Sequence, residues 1–160
     1  PSKEQCQQWR NELADATQKA TDIAKNLRQV EQRLLNQPAQ IDKLNKERLN
    51  IIQEEAAQQE EIDRIRTYIE ALREELRDTT DQYQANYIRL EILDLQNILE
   101  AAKTALAQIQ QRITQKDAEI TAAENLLSSL QGDKNDLTAA GAYQLKRIDD
   151  LNQNLAQCKP

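Results

Sequence analysis

The sequence predicts an all-α protein: an elongated antiparallel coiled coil, one long central helix with a shorter helix folded back on each end. Three observations carry that prediction. Neither glycine nor proline occurs between Pro38 and Gly132, so no strong breaker interrupts that stretch. Apolar side chains recur within it at spacings of three and four, the period of a helix with one greasy face. Ala, Leu, Ile, Gln, Glu, Lys and Arg dominate, while Phe, Met and His are absent and aromatics reach 3%.

The first helix is predicted over residues 2–36. Ser2 is a good N-cap, and Gln5 completes a capping box with it. Its stripe runs Cys6, Trp9, Leu13, Ala16, Ala20, Ile23, Leu27, Val30, Leu34, in alternating steps of three and four, the a/d pattern of a heptad. Pro38 disfavours helical geometry at Gln37 and suits the first turn of a following helix, so a sharp turn is expected there. Folding back on the next helix sets Leu34 against Ile41, Trp9 against Ile65 and Cys6 against Ile69. The expected hairpin tip is Asn36, Gln37 and Pro38.

The second helix is predicted over 39–131, either unbroken or broken near 78–88. One stripe runs Ile62, Ile65, Ile69, Leu72, Leu76, Thr79, Tyr83, and another starts at Ile88 and continues through Ile92, Leu95, Leu99, Leu106, Ile109 and Ile113. The two are out of phase, because Tyr83 to Ile88 is a step of five. Asp78, Thr79, Thr80 and Asp81 are cap-formers that suit a turn. With no glycine or proline there, an unbroken helix with a register shift is the favoured expectation, ~140 Å long at the helical rise.

Gly132 reads as a left-handed C-terminal cap, with Asp133 or Asn135 capping a third helix over 134–157. That helix is expected to fold back so that Leu127 meets Leu137 and Leu106 meets Cys158. The second expected tip is therefore Gly132 and Asp133.

In this scheme Cys6 and Cys158 lie too far apart within one chain to bond, since a disulfide needs Cα atoms within about 7 Å. An antiparallel homodimer with its two-fold near residues 87–88 would bring Cys6 of one copy to Cys158 of the other. It would also set Ile62 against Ile113, Ile69 against Leu106, Leu76 against Leu99 and Tyr83 against Ile92. The alternative for the cysteines is two small apolar seam residues. Paired cysteines imply an oxidising compartment, which leans toward a bacterial periplasmic or secreted location. With Pro1 in place of an initiator Met, the chain is expected to be a processed product or a fragment.

Net charge is −6 and no basic face appears, which argues against nucleic acid and against an anionic membrane surface. No apolar run is long enough for a transmembrane segment. With no histidine, no glycine-rich phosphate loop and no Cys-x-x-Cys pair, neither catalytic residues, a cofactor nor a metal site is expected. The doublets Glu54-Glu55, Glu60-Glu61 and Glu74-Glu75 read as a solvated face. The expected function is a non-catalytic structural or interaction module, a rigid spacer or dimerisation scaffold with protein partners. The alternatives are a lipid-associating amphipathic bundle and a compact monomeric bundle adaptor turned at Asp78–Asp81.

Overall fold

A computed structural model describes residues 1–159. Within them the chain is two long helices packed against each other as a helical hairpin, α1 over Lys3–Asp78 and α2 over Gln82–Leu155. The expected long central helix with two shorter end helices is therefore corrected to two helices of nearly equal length, 76 and 74 residues.

The ends of each helix follow from local chemistry. Ser2 opens α1: its Oγ accepts from the Gln5 amide at 3.1 Å, and its carbonyl accepts from the Cys6 amide. At the other end the Thr79 amide turns back to the Leu76 carbonyl, tightening the last turn, and the Thr79 hydroxyl bonds the Glu75 carbonyl. Asp81 then caps α2, its carboxylate accepting from the Gln84 amide at 3.0 Å. The chain reverses in the three residues Thr79, Thr80 and Asp81 with no positive φ, so neither glycine nor proline is required.

The two expected tips are corrected as well. Asn36, Gln37 and Pro38 lie inside α1, and Gly132 and Asp133 lie inside α2. Pro38 removes one helical hydrogen bond and crowds the Leu34 carbonyl, at about 3 kcal/mol. The stripe nevertheless continues through it in phase, from Leu34 to Gln37 to Ile41, so an unbroken helix keeps the stripe on one face. Gly132 has no positive φ, and a Cβ there would meet nothing within 4 Å, so it behaves as an ordinary helical residue.

The chain divides into two units. The first comprises residues up to Ile41 together with those from Ala122 on. Cross-helix partners there are Asp15 with Arg147, Ile23 with Gly141 and Gln37 with Ala123. Cys6, Ala16, Ala123, Leu130 and Leu151 are buried. The second unit is Asp42–Thr121. Its partners are Glu47 with Lys116, Glu54 with Arg112, Gln58 with Ala102 and Tyr68 with Glu91. Its core cluster is Ile65, Ile69, Leu72, Ile88 and Ile92, with Leu76, Leu95, Leu99 and Ala102 packed against it.

Candidate interaction seam and cysteine pair

The stripe on α1 runs from Cys6 to Thr79 in steps of three and four without a skipped position, and that on α2 runs likewise from Ala85 to Cys158. The side chains named by the sequence fall along these stripes unevenly. Ile62, Ile65, Ile69 and Ile92 are buried, while Trp9, Leu13, Leu76, Leu99, Leu106, Ile109 and Ile113 are half-buried. Tyr83 is the exception: it is 88% exposed and points away from the stripe, because α2 starts its heptad at Ala85. The homodimer register is corrected on this geometry, since Ile69, Leu76, Leu99 and Ile92 pack with one another within one chain.

Cys6 and Cys158 lie on the same chain at disulfide-bonding distance, with Cα atoms 6.2 Å apart. The expectation that they are too far apart within one chain followed from placing Cys6 beside Ile69, and it falls with the turn at Pro38. A hairpin reversed at Thr79–Asp81 sets residue numbers summing to about 160 opposite each other, which includes the two cysteines.

Two cations occupy the stripes of the second unit, Arg48 on α1 and Lys116 on α2. Neither is left alone. Arg48 pairs with Asp117 across the seam. Lys116, only 17% exposed at its side chain, bonds Glu47 across the seam at 2.8 Å and Glu119 on its own helix at 2.9 Å. These hydrogen bonds, the Glu47 one first, push the Lys116 pKa up, and the Lys116 bond holds the Glu47 carboxyl below its ordinary range. One turn further along, Arg112 meets Glu54 at 2.7 Å. In this register each cation of the polar layer meets a carboxylate across the seam, which offsets the cost of holding a charge in an apolar stripe.

The first unit carries its own cross-links. Asp15 accepts from Lys19 at 3.0 Å and from Arg147 at 3.2 Å, and these bonds, Lys19 first, hold its carboxyl below the usual range. The Gln37 side-chain amide donates to the Ala123 carbonyl at 2.9 Å. Gln144 is buried in the stripe of α2, and its Oε1 has no partner among the described residues.

One member of each acidic doublet is paired, Glu61 with Arg64 and Glu74 with Arg77 on their own helix and Glu54 with Arg112 on the other. Among the described residues no cluster of His, Cys, Asp and Glu is arranged to hold a metal ion. No helix there is long and apolar enough to cross a membrane. What the sequence reading missed is the outward aromatic edge, where Tyr68 donates to Glu91 at 3.1 Å beside Tyr87. Its trace in the sequence is the set of tyrosines flanking the chain reversal, Tyr68 before it and Tyr83 and Tyr87 after it.

No protein-family model matches this chain, and no curated protein or solved structure gives a significant match to it.

Proposed function

We propose that the chain is a non-catalytic structural or interaction module, an antiparallel two-stranded coiled coil that works as a rigid spacer or dimerisation scaffold. The observation that carries this reading is the unbroken heptad stripe on each helix, from Cys6 to Thr79 and from Ala85 to Cys158. A stripe used along its whole length on a neighbouring helix supplies stiffness and leaves the remaining faces charged and solvated. The ion pairs of Lys116 and Arg48 support the same reading, since they tie α1 to α2 at two points along the seam.

Pulsed electron–electron spin resonance tests it. Spin labels are introduced through unnatural amino acids at Asn50 and Asp78, about 40 Å apart along α1 within one unit, leaving the cysteines untouched. A spacer gives one narrow distance distribution that is insensitive to added osmolyte. A broad or multimodal distribution overturns the reading.

A further inference from the structure

We propose that the Cys6–Cys158 bridge is a redox latch on the first unit alone: a dithiol reductant opens the segments up to Ile41 and from Ala122 on, while Asp42–Thr121 stays a folded hairpin.

The two units are equal in length and unequal in what holds them. Of the large aliphatic side chains that are buried, nine lie in the second unit and two, Leu130 and Leu151, in the first. The first unit otherwise buries Cys6, Ala16 and Ala123, which remove much less apolar area from water. Among the described residues three ion pairs cross between the helices in the second unit, those of Arg48, Arg112 and Lys116. The first unit has the Asp15–Arg147 pair.

The weakening features gather in the first unit as well. Pro38 removes a helical hydrogen bond there, and both glycines sit inside its part of α2. Ala20, Ala24 and Gly141 leave a groove of about 380 Å³, so Leu27 and Leu137 on its walls lack packing partners on the open side. Gln144 buries an acceptor without a donor. A segment so short of apolar burial is the first to open, unless a covalent tie limits the freedom it gains by opening. The bridge is that tie, joining the start of α1 to the turn past the end of α2.

Cys158 is the sulfur within reach, half-buried in the turn that follows Leu155, whereas Cys6 is 7% exposed. A thiolate of the reductant bonds to the Cys158 sulfur, and the Cys6 sulfur leaves with the electron pair of the S–S bond and takes up a proton. The second reductant thiol then bonds to the first and releases Cys158 as a thiol. The protein gains two electrons and two protons, and the dithiol becomes a disulfide.

Such a latch goes beyond the spacer reading, and the spin-label distance lies wholly in the second unit, so the two fail separately. Hydrogen exchange of the full chain, followed by mass spectrometry on peptides of each unit, is measured with and without dithiothreitol. The first unit places roughly 70 residues between the cysteines, so on reduction its peptides are expected to lose about a thousandfold of protection. Peptides over Ile62–Ile92 are expected to lose less than about tenfold. The Cys6→Ser, Cys158→Ser double variant without reductant should match the reduced parent. Adding Gly141→Ala and Gln144→Leu to it is expected to restore at least about tenfold of protection to the first unit. Equal loss in both units, loss confined to the second, or protection unchanged by reduction would overturn the latch. No recovery in the four-residue variant would overturn its physical cause.

Discussion

The Lys116 ammonium sits 2.8 Å from the Glu47 carboxylate on the opposite helix, at a stripe position that most neighbouring turns fill with aliphatic side chains. Glu47 and Asp15 both have folded pKa values below the ordinary carboxylate value. Their contribution to stability is therefore complete above that value and is lost as pH falls through the lower folded ones. The urea midpoint should hold steady down to about pH 5 and fall below about pH 4. Glu47→Gln is expected to lower the neutral-pH midpoint and to shrink the acid drop. An acid limb unchanged in Glu47→Gln would refute the assignment. Lys116 has the opposite sign, its part persisting until pH rises through a folded value above the usual lysine range.

Replacing both stripe cations separates stability from register. The double variant Arg48→Leu with Lys116→Leu should denature at no lower urea concentration than the parent, because leucines suit the seam and the released carboxylates, Asp117 and Glu47, are 51% and 40% exposed and stay hydrated. Its register should loosen, with slips of seven residues now tolerated. Reoxidation after reductive unfolding reads this directly: the Cys6–Cys158 bond is expected to form more slowly and incompletely than in the parent.

Gly132 and Gly141 should both accept alanine. A Cβ at Gly132 meets open space, and one at Gly141 touches the Ile23 methyl at 3.5 Å, an ordinary contact. Each Gly→Ala change is expected to raise stability by about 0.5–1 kcal/mol in chemical denaturation. Pro38→Ala should add about 3 kcal/mol by restoring a helical hydrogen bond. Loss of stability at either position would place a true chain reversal there.

The all-α class is legible in the sequence, because composition and helical period both survive every choice of turn. The turns are not. Pro38 and Gly132 are strong local punctuation, and the stripe's continuation through Gln37 is masked because Gln37 is polar. Polar residues at Arg48, Glu55 and Gln58 further disguise one long heptad as two shorter stripes. The real reversal at Thr79–Asp81 lacks glycine and proline; its traces are the cap-formers Asp78–Asp81, which the alternative of a helix broken near 78–88 rested on, and the step of five between Tyr83 and Ile88. Once the reversal is misplaced, the cysteines follow, since their separation depends entirely on where the chain turns. Tyr83 is drawn into the stripe for the same reason: its spacing from Leu76 fits only if α1 continues past Thr79.

Gln144 keeps a buried, unpartnered carbonyl oxygen in the stripe of α2. An apolar side chain of similar length removes that desolvated acceptor. Gln144→Leu is expected to stabilise the chain by about 1–3 kcal/mol. Thermal melting of the oxidised protein measures it, and a lowered melting temperature would mean that the amide has a partner in solution.

The cysteines predict a simple electrophoretic result. Without reductant the chain should migrate at monomer mass and faster than its reduced form, because the bond closes a loop of 152 residues within one chain. Chain-entropy arguments put the stabilisation from so long a loop at about 5 kcal/mol. The Cys6→Ser, Cys158→Ser double variant should lose a comparable amount in urea titration.

The sulfur bridge also redirects mechanical load. Tension applied at Lys3 and Lys159 runs through the Cys6–Cys158 bridge at the mouth of the hairpin and bypasses everything between the two cysteines. Peeling the two strands apart by pulling on those points is blocked while the bridge is intact. Reduction turns the same segment into an extensible spring that opens from its mouth toward Thr80.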